Sequence, residues 1–251
     1  MNKKNSYKTL YSLCLLVGLS IVLYYAGRFV NSKNTKEKTE LIADTNNPYI
    51  MILGTAQDGG FPQAGCKKKC CSEAWENKEI SKKISSLAII DPASKEQWII
   101  DATPDIKEQL NDLQNQTHVA SLDGIFLTHA HIGHYLGLAQ LGREVLGVKN
   151  LPVFCMKRMH DFLSKNGPWD QLVKLQNIKL NKIFDSKKVI LNDRLSITPF
   201  LVPHRDEYSE TVGYEISSKT KKIIFIPDID KWNLWDKDII SLIKDIDYAF
   251  I

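Results

Sequence analysis

Three histidines fall within six residues in the segment Thr128–His134, whose sequence is THAHIGH. The chain has only six histidines in 251 residues, so this clustering indicates a shared role. His129 and His131 follow an apolar run, and His134 lies where a helix is expected to begin. Neutral imidazole is a common ligand of zinc and related ions. The segment therefore predicts a metal-binding loop between a strand and a helix.

Two more ligands are expected at the ends of later apolar runs. Residues 197–202 lead into His204, and residues 223–226 lead into Asp228. Alone, a histidine or a turn aspartate at such a place is often an ordinary polar residue. Downstream of the histidine cluster, both become candidate metal ligands. Asp230 is a weaker candidate, which would contact a metal ligand rather than the metal itself.

Short apolar runs and helix-like stretches alternate from residue 49 to residue 251, which predicts an α/β layered domain with many strands. No glycine-, serine- or proline-rich linker divides this region, so one domain is expected. The expected strands are 49–53, 87–90, 98–100, 124–127, 151–155, 189–191, 195–197, 212–216 and 222–226, and the expected helices are 106–115, 135–146, 157–163 and 236–244.

Composition excludes several classes of protein. With 43% hydrophobic and 25% charged residues, the chain is globular rather than disordered, collagenous or coiled-coil. Its net charge of +4 is mild, so nucleic acid is not an expected partner. Nothing in the sequence predicts the oligomeric state.

The first 30 residues are predicted to be a signal anchor or a signal peptide. Residues 10–26 form an uncharged stretch of 17 residues, near the lower limit for a membrane-spanning helix, and lysines precede it. Residues 31–48 read as a polar linker. The expected location is therefore membrane-anchored or exported, with the domain on the outer side of the cytoplasmic membrane and the N-terminal segment contacting the membrane.

A glycine-rich loop after the first strand carries Asp58 and ends in a cysteine cluster. Asp58 is expected to approach the mouth of the metal site, although loop aspartates usually cap turns. Three thiolates in six residues could hold a structural zinc with a fourth ligand from Cys155 or His160. A disulfide or free thiols are the alternative in an exported domain. The clustered cysteines are Cys66, Cys70 and Cys71.

The order strand–HxHxxH, strand–His, strand–Asp resembles the metallo-β-lactamase fold superfamily over residues 49–251. The resemblance implies a layered αββα sandwich, with Asp101 as a mostly structural acid. It also implies one metal held by His129, His131, His204 and Asp228, and a second position that has His134 and Asp228.

This chain departs from the pattern of that superfamily in two places. Gly133 stands where the superfamily has an aspartate, and no histidine follows His204. Occupancy of the second metal position is therefore left open. The last residues resemble the middle of a strand, which predicts that the sequence is a C-terminally incomplete version of a longer protein.

The glycine-rich loop narrows the resemblance to one branch of the superfamily. The run from Gly54 to Cys66, with its Gly-Gly-x-Pro-Gln, is similar to the pyrroloquinoline quinone biosynthesis B family and to the cyclic phosphodiesterases of phosphonate utilisation. Those families carry a C-x-C-x-x-C zinc site at this place. Here the spacing is C-x-x-x-C-C, so the geometry of that zinc site is not carried over.

The resemblance implies a metal-dependent hydrolase that acts on an ester, a phosphodiester or a related bond of a small molecule. Zn²⁺ is the expected ion, with iron or manganese as alternatives, and no organic cofactor site is expected. Asp228 and His134 would be the catalytic residues beside the metal. Two other functions stay open: an iron-dependent redox or cofactor-biosynthesis enzyme on the same histidines, and a non-catalytic metal-binding module.

Overall fold

Two β-sheets organise the part of the chain that the structure, a computed structural model, describes: residues 46–251. The first sheet has six strands in sequence order, antiparallel from β1 to β3 and parallel from β3 to β6. These strands are β1 (Tyr49–Gly54), β2 (Ser86–Asp91), β3 (Glu96–Ile100), β4 (Gly124–Phe126), β5 (Leu151–Cys155) and β6 (Ile178–Lys182).

The second sheet has five strands in the order β11-β10-β9-β8-β7. Neighbours in this sheet are antiparallel, except for the parallel pair of β10 and β11. The strands are β7 (Val189–Ile190), β8 (Ser196–Leu201), β9 (Val212–Ser217), β10 (Lys222–Phe225) and β11 (Tyr248–Phe250).

Short helices connect the strands and cover the outer faces of both sheets. They are α1 (Lys69–Glu76), α2 (Ile106–Thr117), α3 (Ile132–Tyr135), α4 (Lys157–Lys165), α5 (Trp169–Lys174) and α6 (Ile239–Ile243). Turns of 3₁₀ helix lie at Lys78–Ile80, Leu136–Leu141 and Trp232–Leu234.

Side-chain alternation in the buried strand β2 shows how the layers form, because successive residues of a strand point to opposite faces of a sheet. Leu87 and Ile89 pack in a core with Ile197 and Tyr214 of the second sheet. Their neighbours Ala88 and Ile90 pack in another core, with side chains of helices α2, α4 and α5. The first sheet is therefore buried on both faces.

A third, smaller core covers the outer face of the second sheet. Phe200 and Ile224 of that sheet pack there with Trp235, and Ile239 of α6 lies against them. The order of layers is helix, sheet, sheet, helix. The predicted α/β layered sandwich is confirmed for the described residues, and the apolar N-terminal helix predicted within residues 1–30 lies outside them.

Candidate metal centre

Strand ends from both sheets meet at one edge of the sandwich. His129 and His131 follow β4 in the first sheet, His204 follows β8, and Asp228 follows β10 in the second sheet. A hydrogen bond from the Val212 amide to the Thr128 carbonyl, 3.2 Å long, ties β9 to the histidine segment. The four ligands predicted for the first metal position are therefore brought together by the packing of the two sheets.

Four of the six distances between these ligand atoms lie close to those around a tetrahedral ion. Around a zinc ion with bonds of about 2.0–2.1 Å, the ligand atoms lie about 3.3 Å from one another. Nδ1 of His131 lies 2.9 Å from Nε2 of His129 and 3.0 Å from Nε2 of His204. Oδ2 of Asp228 lies 3.3 Å from Nε2 of His129 and 3.7 Å from Nε2 of His204.

Nδ1 of His131 has more nitrogen neighbours than it can hydrogen-bond to. A ring nitrogen offers one proton or one lone pair. Three nitrogens nevertheless lie within 3.1 Å of it: those of His129, His204 and Arg205. A cation that accepts the lone pairs of all three rings resolves this crowding, so the donor set fits a divalent metal.

A second group of ligand atoms shares Asp228. Nε2 of His134 lies 3.3 Å from Oδ2 of Asp228 and 3.1 Å from Oδ1 of Asp58. The ligand atoms of His134, Asp58 and Asp228 all lie within 4.8 Å of one another. Asp58 belongs to the turn after β1, so the first sheet contributes a carboxylate as well as the imidazoles.

Each imidazole also has an oxygen beside the nitrogen that faces away from the ligand groups. Such partners fix the orientation of metal-binding histidines and raise the basicity of the ligand. The distances are 3.0 Å from His129 Nδ1 to Thr128 Oγ1, 2.8 Å from His131 Nε2 to Glu207 and 2.7 Å from His134 Nδ1 to Asp101. Nδ1 of His204 lies 2.7 Å from Asp230, but the angles are not those of a hydrogen bond. Sequence reasoning had singled out Asp101 and Asp230 but missed Thr128 and Glu207, which adjoin predicted ligands.

Asp101 is the most deeply buried of these supporting residues. Its carboxylate accepts hydrogen bonds from the Thr128 amide (2.8 Å) and the Thr128 hydroxyl, and lies beside His134. Its φ is 68°, a left-handed conformation that Asp adopts more readily than most residues. Asp101 thereby fixes the proton of His134 on Nδ1 and leaves Nε2 facing the ligand group.

Electrostatics keeps the shared carboxylate ionised. Burial favours the neutral form of Asp228, but His129 and His134 outweigh it and hold the pKa of Asp228 well below its usual range. Burial also opposes the charged form of His134, yet Asp101 and the other two carboxylates raise the pKa of His134 well above its usual range. The site therefore presents anionic oxygens to a cation, which would replace the proton on His134 Nε2.

Open space and an exposed cation adjoin the two ligand groups. A cavity of about 480 Å³ is lined by Asp58, His134 and Asp228, with Leu87 and Phe225 among its apolar walls. This volume suits a small molecule. The exposed Arg205 lies beside the first ligand group, with Nη2 3.1 Å from Nδ1 of His131. Arg205 adjoins the predicted ligand His204, but its sequence context gave no sign of its position.

The structure does not bring the cysteine cluster together as a ligand group. Cys71 is buried in α1, Cys70 is exposed and Cys66 is half-buried, and all are free thiols. Among residues 46–251, the groups with ligand atoms within 4.8 Å of one another consist of histidines and aspartates. The structural zinc at Cys66, Cys70 and Cys71, with Cys155 or His160 as its fourth ligand, stays a prediction.

The thiols are expected to differ sharply in reactivity. Burial raises the pKa of Cys155 to about 12, and the thiolate is the reactive form of cysteine. At pH 8, iodoacetamide should therefore modify the exposed Cys70 and leave Cys155 intact in the folded chain. Mass spectrometry of peptides measures both sites. Protection of Cys70 that a chelator abolishes would support the structural zinc, whereas modification of Cys155 without unfolding would contradict its burial.

The layered sandwich and the histidines at its edge are typical of one class of metalloprotein, and comparisons with known proteins give the same class. Residues 97–251 match the family model described as Beta-lactamase superfamily domain, and the chain belongs to this superfamily. The resemblance predicted from the histidine motif is thereby confirmed.

The chain is similar to coenzyme PQQ synthesis protein B of Methylorubrum extorquens strain PA1, with 27% identity over 203 residues. The match covers 71% of this chain and 64% of that protein. The crystal structure of zinc-bound PqqB from Methylobacterium extorquens is similar in fold, with a TM-score of 0.67 and 24% identity over 80% of this chain and 71% of that one. A diphosphatase of the PhnP family gives a TM-score of 0.52 and 19% identity, over 70% and 63% of the two chains.

The location predicted from the sequence is wrong. The chain is similar to coenzyme PQQ synthesis proteins of several bacteria. Among residues 46–251, no helix has both the length and the apolar character needed to cross a bilayer. The prediction rested on residues 1–30, which lie outside the described residues, and on an apolar stretch at the lower limit of spanning length. The membrane-anchored or exported location, and the membrane as a partner, are withdrawn.

Proposed function

We propose that this chain is a metal-dependent hydrolase that acts on an ester, a phosphodiester or a related bond of a small molecule. The observation that carries the proposal is the close spacing of four ligand atoms, at 2.9–3.7 Å, from His129, His131, His204 and Asp228. The similarity to a zinc-bound protein and to a diphosphatase supports zinc as the ion and hydrolysis as the reaction.

In this reaction the residues of the chain bind and orient the reacting groups and transfer protons. When bound, the ion supplies Lewis-acid chemistry: it makes a water more acidic and polarises the bond under attack. Asp228, ionised and 21% exposed, directs Oδ2 toward both ligand groups and can accept a proton from an attacking water. His134, held by Asp101, can then return a proton to the leaving group when Nε2 is free.

Arg205 favours an anionic substrate over a neutral one. A guanidinium binds phosphate and carboxylate in a fork geometry. A cation at His131 would repel the Arg205 side chain from its present position, 3.1 Å from Nδ1, and an anionic group beside that cation would attract it. A phosphodiester therefore suits the space beside Arg205 and His131 better than a neutral ester does.

A second candidate function is an iron-dependent redox step in cofactor biosynthesis. The observation that favours it is the 27% identity to coenzyme PQQ synthesis protein B. The chain spans 64% of the length of that protein. Three imidazoles and one carboxylate also suit iron. Hydrolysis is preferred because the described cavity holds ionised carboxylates beside the ligand groups, which serve proton transfer directly.

The test is to load the full chain separately with zinc and with iron, and to measure two reactions. We expect the zinc form to hydrolyse bis(p-nitrophenyl) phosphate faster than the metal-free form does, and Arg205→Ala to raise KM for this diester about tenfold, as the loss of one charge-assisted contact of about 1.4 kcal/mol implies. KM for the neutral p-nitrophenyl acetate should be unchanged. Oxygen consumption by the iron form without hydrolysis by either form would favour the redox function. Zinc binding without either reaction would favour the metal-binding module.

A further inference from the structure

Asp58 packs against the Cα of Gly133, in the space that a side chain at position 133 would need. A Cβ atom placed on Gly133 would lie 2.5 Å from Oδ1 of Asp58, 2.7 Å from Cγ and 2.8 Å from Cα. Contacts below 3.0 Å essentially do not occur for Cβ atoms. The Asp58 carboxylate therefore occupies the space in which any side chain at position 133 would begin, so this position must be glycine while Asp58 stays where it is.

The turn that carries Asp58 is held in place by its own backbone. The amides of Thr55 and Ala56 both donate to the Lys83 carbonyl at 2.9 Å, and the Gly60 amide donates to the Gln57 carbonyl at 2.8 Å across the turn. The turn is therefore fixed on both sides of Asp58. The backbone that carries the Asp58 carboxylate toward His134 is therefore held by hydrogen bonds.

Both carboxylates of the second ligand group lie at ligand spacing from His134. Asp58 Oδ1 lies 3.1 Å from His134 Nε2, and Asp228 Oδ2 lies 3.3 Å from the same nitrogen. The expected separation of ligand atoms around zinc is about 3.3 Å. The His134 side chain is 2% exposed, whereas that of Asp58 is 33% exposed, so the group opens toward the cavity. An ion here could keep an open position for water or substrate.

We propose that Asp58, His134 and Asp228 hold a second metal ion, with Asp58 supplying from the loop after β1 a carboxylate that position 133 does not provide. The proposal rests on the first metal position of the proposed function, because Asp228 Oδ2 lies 3.3 Å from His129 Nε2 as well as from His134 Nε2 and would bridge the two ions. Gly133 is the steric condition for this arrangement.

The experiment counts metal ions. The full chain is stripped with a chelator and titrated with Co²⁺; bound cobalt is measured after desalting, and its visible spectrum is recorded. Cobalt held by cysteine thiolates is recognised by its charge-transfer absorption and is not counted. At the histidine and aspartate positions we expect two equivalents for the unmodified chain and one for Asp58→Asn, which keeps the shape of the side chain but removes the anionic oxygen. Gly133→Ala should also bind one, because its methyl group displaces Asp58 without removing it.

The matched control is Asp170→Asn, the same chemical change as Asp58→Asn. Asp170 lies on α5, where its Oδ2 is 2.6 Å from Nζ of Lys174, and it belongs to neither ligand group. This variant should keep two equivalents. Circular dichroism checks the fold of Gly133→Ala, and Asp58→Asn gives the answer if that variant does not fold.

Each outcome separates this proposal from the proposed function. Two equivalents in Asp58→Asn, or a single equivalent in the unmodified chain, would overturn the second metal position and leave the first intact. No cobalt in the unmodified chain would overturn both. Loss of one equivalent in Asp170→Asn as well would show that the count responds to the loss of any carboxylate, and would remove the specific role of Asp58.

Discussion

Replacing His131 with alanine is expected to abolish metal binding at the first position with little effect on the fold. The side chain is 14% exposed and lies at the edge of the sandwich, so its removal creates no cavity in the core. Its Nδ1 is nevertheless the atom closest to the other two imidazoles, at 2.9 and 3.0 Å. Because loss of an outer partner alone costs about 10- to 100-fold in metal affinity, loss of a ligand should cost more than about 100-fold.

The activity of His131→Ala should fall with its metal content. Stabilisation of developing charge by a bound ion is worth several kcal/mol, which corresponds to on the order of 10³-fold in rate. Cobalt titration and hydrolysis of the model phosphodiester measure the two losses. The control is His118→Asn, because His118 is exposed at the end of α2 with a φ of 57° that asparagine tolerates. Unchanged cobalt affinity in His131→Ala would contradict the geometry of the first position.

Replacing Asp101 with asparagine is expected to weaken both the fold and the second ligand group. The carboxylate is fully buried and bonded to Thr128 and His134. Hydrogen bonds to a charged group contribute about 1.5–3 kcal/mol, so the free energy of unfolding should fall by about 2–3 kcal/mol. Urea denaturation of the metal-free chain measures this loss.

The second effect of Asp101→Asn concerns the proton of His134. An asparagine amide that donates to Nδ1 moves the imidazole proton to Nε2, the nitrogen that faces Asp58 and Asp228. Cobalt affinity at this group should therefore fall about 10- to 100-fold. The left-handed backbone at position 101 adds no cost, because asparagine tolerates it as aspartate does.

Asp91→Asn is the matched control for Asp101→Asn. Asp91 is also fully buried, but it ends β2 and lies 3.4 Å from Arg194, remote in sequence from every ligand. It should lose stability and keep its cobalt affinity. If Asp91→Asn weakened cobalt binding as much as Asp101→Asn, general destabilisation rather than the His134 proton would explain the loss.

The first ligand group was readable from the sequence because its signals are local. Each ligand follows a short apolar strand directly, as His204 follows β8 and Asp228 follows β10. Strand ends in layered α/β folds meet at shared edges, so residues in such places come together. The strand at Leu151–Cys155 was predicted with its observed bounds for the same reason: it is a short apolar run.

The partnership of Asp58 with Gly133 was not readable, because nothing in a spacing shows that a turn 75 residues earlier fills the space above a glycine. The long helix expected at 135–146 was also wrong. The chain changes there to the 3₁₀ turns of Leu136–Leu141, where a Cβ on Gly137 would lie 2.1 Å from the Thr103 carbonyl. Strand β6 was missed because its lysines and asparagine break the apolar run.

The shared carboxylate has a consequence for how this chain folds. His129 and Asp228 are about 100 residues apart and belong to different sheets, so an ion held between them would join the two halves of the sandwich directly. Binding that occurs only in the folded state adds to the free energy of unfolding, and ligands from distant parts of a chain do not assemble beforehand. Metal supply would then set how much of this protein survives in the cell, as well as how fast it works.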